Sequence, residues 1–255
     1  MQAIAVPAFR DNYIWLAPLN SEGREVAVVD PGDARPVTEV LEARALKLRA
    51  ILITHHHYDH VDGVHALRER YAPALFVPRG SPLPQPHHEV GEGDEITLAE
   101  TRFTVLETPG HTPDHVVYLA GGALFTGDTL FTGGCGRLFG GSAEQLYRSL
   151  ERLRRLPGES RIYCAHEYTL GNLRFACEVE PGNEALRRRL AEAEERRRQG
   201  LPTVPSTLAL ERDTNPFLRC HLPEVRAAAE RYSGRSLTSP EAVFAVLRYW
   251  KDNFS

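Results

Sequence analysis

No apolar run in the sequence approaches the roughly 20 residues that a membrane-spanning helix needs, which excludes a helical membrane protein. The four cysteines, Cys135, Cys164, Cys177 and Cys220, form no CxxC pair. That argues against a disulfide framework and a thiolate zinc site, and a reducing compartment fits. The opening residues MQAIAVPAFRDNY lack the charged start and long apolar stretch of a secretion signal, so a soluble cytoplasmic protein is expected. Basic charge is not in excess. The 30 Lys and Arg against 34 Asp and Glu leave a net charge of −4, which disfavours a protein that acts mainly by gripping nucleic acid. Internal repeats and low-complexity segments are also missing. What remains is an ordinary globular composition: 255 residues, 42% hydrophobic and 25% charged, long enough for one large or two unequal domains. The 20 glycines and 18 prolines point to a loop-rich fold rather than a helical bundle.

Strand and helix signals alternate over the first two-thirds. Strands are expected at NYIWLAPL, EVAVVD, RAILIT (49–54), ALFVP (74–78), EITL (95–98), RFTVLET (102–108), HVVYLA (115–120), ALFTG (123–127) and RIYCA (161–165). After the PGD turn at 31–33, a helix with Pro36 in its first turn carries Val37, Val40, Leu41, Ala45 and Leu48 on one face. A second helix starts at Ser142, where Gln145 completes a capping box, and its stripe is Leu146, Leu150 and Leu153. Beyond about 166 the pattern shows helices and Pro-containing loops without clear strands. In EALRRRLAEAEERRR (184–198), Leu186, Leu190 and Ala193 share a face. Its arginines are expected on a solvated face, with Glu192–Arg196 and Glu194–Arg198 as pairs four residues apart. A last helix from Ser239-Pro240 turns Val243, Val246, Leu247 and Trp250 inward. The whole reads as a layered α/β architecture followed by a helical part.

Eleven histidines are unevenly placed, and four of them, His55, His56, His57 and His60, fall within six positions. THHHYDH (54–60) directly follows a strand-like run. Residues two apart in extended chain point the same way, so His55 and His57 can grip one cation. Asp59 and His60 fall where a helix is expected from Val61, and the turn swings them toward a second position. Imidazole and carboxylate donors suit zinc, iron or manganese, and no soft thiolate is supplied. Three further candidates each follow a strand: His111 in TPGH, Asp128 in FTGD and His166 in YCAH. The sum is His55, His57 and His111 on one metal, and Asp59, His60 and His166 on the other. The two oxygens of Asp128 can serve both.

THHHYDH, TPGHT, GDTLF and CAHEYT, in this order, resemble the metallo-β-lactamase superfamily. That resemblance implies an αββα sandwich with its metals at one edge. PAFRDNYIW, GGCGRLFGGS (133–142), AHEYTLGNLRFA (165–176), TNPFLR (214–219) and RYWKDNF (248–254) are similar to the hydroxyacylglutathione hydrolase, or glyoxalase II, family. The resemblance covers almost the whole chain. It implies a metal domain over 1–166 and a smaller, mainly helical substrate-binding domain over 167–255. It implies hydrolysis of S-D-lactoylglutathione to D-lactate and glutathione, the second step of methylglyoxal detoxification. Two divalent metals, zinc foremost, would hold a shared water whose hydroxide attacks the thioester carbonyl, with Asp59 and Asp128 as the carboxylates that hold the pair. The departing thiolate is a fair leaving group, so no dedicated general acid is needed.

Positions matching the family's glutathione contacts are Arg137, Phe139, Tyr168, Arg248 and Lys251. Arginine can hold a carboxylate bidentately. Phe139 stands where many relatives have tyrosine and cannot donate a hydrogen bond. Asp62 and Asp114 stand where glycine is common in the family and add negative charge near the metals. His56, His65, His87, His88, His115 and His221 are given structural roles, and Cys135 is read as a small loop residue without a base beside it. Two rivals come from the same superfamily: an iron persulfide dioxygenase, disfavoured by NPFLR and RYWKDNF, and a metal-dependent ribonuclease, disfavoured by net charge. A closed, non-catalytic metal module is a third alternative. The expected partner is a small thioester, with no membrane or nucleic acid, and the expected state is a monomer.

Overall fold

The computed structural model describes residues 1–254. The chain forms two compact units that interleave along the sequence. The first comprises Met1–Glu107, Asp114–Gly127 and Tyr163–His166; the second comprises Thr108–Pro113, Asp128–Ile162 and the chain from Glu167 onward.

The first unit holds strands β1 (Ile4–Ala8), β2 (Asn12–Pro18) and β3 (Glu25–Val29), helix α1 (Ala34–Ala43), and strand β4 (Lys47–Leu52). Helices α2 (Tyr58–Val61) and α3 (Val64–Tyr71) follow, then strands β5 (Ala74–Pro78), β6 (His88–Val90), β7 (Glu95–Leu98), β8 (Thr101–Glu107), β9 (Val116–Ala120) and β10 (Ala123–Gly127). One sheet runs β1-β2-β3-β4-β5-β6. Its first two pairings are antiparallel, and β3 with β4, β4 with β5 and β5 with β6 are parallel. Each parallel step from β3 to β5 needs a helical crossover, and α1 and then α2–α3 supply them. Val37 and Leu41 of α1 and Leu67 of α3 join Ile14, Leu16, Val26, Val28, Ile51, Ile53 and Val77 in one buried cluster. The antiparallel meander β7-β8-β9-β10 supplies four strands of the other sheet.

The α1 stripe proves shorter than its apolar spacing suggests. The helix ends at Ala43, Ala45 takes a left-handed φ of 50°, and Leu48 belongs to β4. Apolar periodicity continued past the helix end because a buried strand follows it. The three-residue β6 is too short for a sequence pattern, and β1 carries Pro7, which breaks the strand signal.

The second unit holds the two-residue strands β11 (Leu130–Phe131) and β12 (Gly134–Cys135), which pair with each other. Helix α4 (Ala143–Arg154) starts at the Ser142–Gln145 capping box and buries Leu146, Leu150 and Leu153. Strand β13 (Arg161–Cys164) begins here, and its Arg161 and Ile162 pair with β14 (Ser206–Thr207). That short strand lies where no strand was expected. Helices α5 (Thr169–Val179), α6 (Glu184–Arg198), α7 (Leu208–Thr214), α8 (Pro223–Ser233) and α9 (Pro240–Asp252) complete the unit. Phe175, Phe217 and Phe244 form its aromatic centre, with Trp250 edge-on to Phe175. Among the described residues no helix is long and apolar enough to cross a membrane.

Most arginines of α6 lie on the expected solvated face, and Arg189 departs from it. Arg189 is buried and donates to Glu211, Thr214 and Ser206. Arg198 pairs with Glu195, while Glu194 meets Arg174. Counting four residues along a helix cannot show that a neighbouring helix offers a buried carboxylate.

Candidate metal centre

Parallel pairing sets the carboxyl ends of β3 and β4 side by side, and the Asp30 N–H donates to the Leu52 carbonyl at 3.0 Å. Asp30 itself is buried, in the left-handed region at φ 53°, which aspartate tolerates better than most residues. Its Oδ1 accepts the Thr54 N–H at 2.7 Å, and its Oδ2 accepts the Thr54 hydroxyl at 2.7 Å and His60 Nδ1–H at 3.0 Å. With its proton given to Asp30, the Thr54 oxygen accepts from His55 Nδ1 at 3.0 Å. One carboxylate therefore sets the tautomer of two imidazoles and turns the Nε2 lone pair of each outward. His55 Nε2 faces His57 Nδ1 at 3.1 Å, as the two-residue spacing of extended chain requires.

Helix α2 starts at Tyr58, earlier than the expected Val61, and turns Asp59 and His60 off the strand line. Asp59 Oδ2 lies 3.6 Å from His60 Nε2 and 3.4 Å from His166 Nε2. His166 follows β13, where the Tyr13 N–H donates to the Ala165 carbonyl and the Ala165 N–H to the Gly127 carbonyl, so its backbone is held between two strands. Its Nδ1–H donates to Asp11 at 3.0 Å, and Asn12 Nδ2 donates to Asp59 Oδ2 at 3.0 Å. The donor atoms of Asp59, His60 and His166 all lie within 4.8 Å of one another. An anionic carboxylate and two imidazole lone pairs converging on one point are the donor set of a divalent cation, so these residues fit one. Asp30 also lies within reach of His55 and His60, but its oxygens are already committed to Thr54 and to the far nitrogen of His60.

In the second unit, His111 repeats the arrangement. Its Nδ1–H donates to the Arg137 carbonyl at 2.7 Å, and its Nε2 lies 3.4 Å from Asp128 Oδ2. Gly136 makes this possible. A Cβ there would collide with the Asp128 carbonyl and come within 2.9 Å of His111 Nδ1.

The expected glutathione contacts also lie in the second unit, in different environments. Arg137 is exposed, with its Nε 3.4 Å from Asp252. Phe139 is 54% exposed and sets its ring edge-on to His111 at 5.3 Å. Exposed Tyr168 packs edge-on to Phe131. The Lys251 ammonium lies 3.4 Å from the Gly171 carbonyl, over the rings of Phe175 and Phe254. Its burial, and then the charges of Arg248 and Arg137, lower its pKa. Arg248 is only 3% exposed and donates to the carbonyls of Cys135 and Gly136 and to Asp252. Burial pushes the Cys135 thiol up to about 11, so it stays protonated and non-nucleophilic near neutrality. In the first unit His56 meets Asp114 at 3.0 Å and His115 stacks on His55.

A family model described as the hydroxyacylglutathione hydrolase C-terminus matches residues 167–254, and a metallo-beta-lactamase superfamily model matches 12–166. The hydroxyacylglutathione hydrolase of Alkalilimnicola ehrlichii is 53% identical over 253 residues, covering 98% of each chain. That of Aeromonas salmonicida is 51% identical over the same coverage. The chain belongs to the hydroxyacylglutathione hydrolase family. Its metallo-beta-lactamase fold is shared with ETHE1 from Myxococcus xanthus, at a TM-score of 0.67 and 27% identity over 98% of both chains. TTHA1623 in a di-iron-bound form gives 0.62 at 26% identity, covering 86% of this chain and 100% of that one. Within this hydroxyacylglutathione hydrolase-family chain, sequence reasoning missed Asp30, Asp11 and Asn12. Asp30 carried a usable signal, since it ends a strand in VVD as Asp128 ends one in FTGD. Asp11 sits in the turn between β1 and β2 and Asn12 opens β2, and nothing local links them to His166 or Asp59.

Proposed function

We propose that this chain hydrolyses S-D-lactoylglutathione and related 2-hydroxyacylglutathione thioesters to the hydroxy acid and glutathione. His55, His57 and His111 would hold one divalent cation and Asp59, His60 and His166 a second, with Asp128 serving both. The observation that carries this is a repeated geometry. His60, His166 and His111 each commit Nδ1–H to an oxygen and turn Nε2 to within 3.4–3.6 Å of an aspartate oxygen. Cations bound there supply Lewis-acid polarisation of a carbonyl and a water that ionises near neutral pH. The protein's own part is orientation. Asp30, Asp11 and the Arg137 carbonyl lock the imidazoles, and Asn12 steers Asp59. Arg137 and Lys251 offer cations to the glutathione carboxylates, Tyr168 a phenol to its peptide, and Phe139 an exposed apolar surface. The division of labour would follow the boundary between 1–166 and 167–255. Zinc is the first metal to test, and the same donors accept iron and manganese.

A monomer acting in the cytoplasm without nucleic acid is part of the same reading. Net charge of −4 and the pairing of Arg188, Arg189 and Arg198 with glutamates support the absence of a nucleic-acid partner. The deciding experiment follows loss of thioester absorbance with S-D-lactoylglutathione, alongside a chelator-treated control and Asp128→Asn. Turnover abolished in both controls is expected. No turnover by folded, metal-loaded protein refutes the assignment.

A further inference from the structure

We propose that Thr203 is a positioning residue for Tyr168; the contact of the Tyr168 phenol with the glutathione peptide rests on the reading above. Tyr168 is the N-cap residue of α5 and makes no side-chain capping bond there. Its ring is 41% exposed and edge-on to Phe131 at 5.4 Å. Anchorage comes from its two neighbours in sequence, and both reach the same distant residue. Glu167 Oε2 accepts the Thr203 N–H at 2.9 Å, and Glu167 Oε1 accepts the Thr203 hydroxyl. A hydroxyl has one proton. With that proton on Glu167, the Thr203 oxygen accepts from the Thr169 hydroxyl at 2.6 Å. One threonine thus clamps the chain on both sides of Tyr168.

The clamp is buried, and it is itself held. The Glu167 side chain is 7% exposed and Thr169 is 1% exposed. Thr203 lies in the irregular stretch between α6 and β14, where no strand or helix ladder places it. The end of α6 places it instead. Arg196 Nε donates to the Pro202 carbonyl and Arg197 Nη1 to the Leu201 carbonyl, each at 2.9 Å, and Arg197 Nη1 also lies 3.7 Å from Glu167 Oε2. Without the Thr203 hydroxyl, a buried carboxylate oxygen and the buried Thr169 hydroxyl each lose a partner. A buried polar group short of a bond is costly, so both residues shift to recover one. Tyr168 lies between them and moves with them. His166 precedes Glu167 but has supports of its own: Asp11 takes its Nδ1–H, and the Ala165 backbone is bonded to Tyr13 and Gly127. Thr203 therefore acts on substrate binding and not on the metal.

Thr203→Val keeps the side-chain shape and the N–H and removes only the hydroxyl. In the full-length, metal-loaded protein it is compared with Tyr168→Phe and with the double variant. KM and kcat are measured with S-D-lactoylglutathione, and zinc affinity by competition with a chelator of known strength. KM in Thr203→Val should rise about fivefold, the scale of one lost neutral hydrogen bond, while kcat and zinc affinity stay within about twofold. Because Thr203 acts through Tyr168, the double variant should bind no more weakly than Tyr168→Phe alone. Thr203→Ser, which keeps the hydroxyl, should restore the wild-type KM. Unchanged KM in Thr203→Val, independent effects that multiply in the double variant, or no rescue by serine overturns the proposal. A 10-fold loss of zinc affinity also overturns it, by assigning Thr203 to His166. If Thr203→Val does not fold, Thr169→Val removes the other hydroxyl of the clamp. It should give the same KM rise and the same non-additivity, and the absence of either overturns the proposal. Calorimetric titration with glutathione repeats the comparison without turnover. A wild type that binds glutathione but does not turn over refutes the hydrolase reading alone, and Kd then judges the role of Thr203. A wild type that does neither overturns both.

Discussion

Replacing Asp30 by asparagine tests the buried carboxylate with the smallest change of shape. Asparagine also tolerates the left-handed backbone at φ 53°, so the main chain is not strained. The amide has two possible orientations, and both fail. With its NH2 at the Oδ1 position, it opposes the Thr54 N–H, donor against donor across 2.7 Å. With its NH2 at the Oδ2 position, it faces His60 Nδ1 across 3.0 Å and must donate to it. His60 then carries its proton on Nε2, the nitrogen directed at Asp59, and its lone pair there is lost. A hydrogen bond to a charged group contributes about 1.5–3 kcal/mol. That range agrees with the roughly 10- to 100-fold loss of metal affinity found when the partner of a ligating histidine is removed. We expect Asp30→Asn to fold and to lose affinity on that scale for the cation that His60 holds. Chelator competition measures the affinity, and thermal melting of the metal-free protein separates folding from binding. Two cations bound with wild-type affinity would refute the tautomer argument.

Gly136→Ala should lower kcat by about 100-fold, since a Cβ there must displace His111 or the Asp128 backbone and roughly 1 Å of misplacement has that effect; wild-type kcat would show that the segment yields freely. Arg189→Met should cost about 3–5 kcal/mol in urea unfolding, because it strands the buried Glu211 carboxylate, and a cost below about 1 kcal/mol would mean that Glu211 finds another partner. The Cys135 thiol is held at about 11 against an ordinary 9.0, so the folded state keeps a proton that the unfolded chain releases. Its contribution is complete below pH 9.0 and is lost as pH rises toward about 11. Melting temperature should therefore fall less steeply over that window in Cys135→Ala than in wild type, and parallel slopes would contradict the shift.

Much of the metal centre was legible because its chemistry is local. In THHHYDH the residue types select a cation, and a two-residue spacing on extended chain brings His55 Nε2 and His57 Nδ1 together. The α4 start was legible for the same reason: Ser142 and Gln145 close their capping bonds within four residues. Asp30, Asp11 and Asn12 were not, because their partners lie 24 or more positions away and only strand pairing brings them near.

The sequence by itself determined which residue types can offer donors to a cation and that they stand at the ends of strand-like runs. Tertiary structure alone decided which nitrogen of each histidine keeps its proton, since that depends on an oxygen delivered by a distant segment. It also decided what the cations do. Arg189 read as surface charge along its helix and Arg248 as a substrate contact, yet each is buried, the first on Glu211 and the second on the Cys135 and Gly136 carbonyls. A charge can be buried only where partners converge on it from other elements, and helical spacing within one segment carries no record of that convergence.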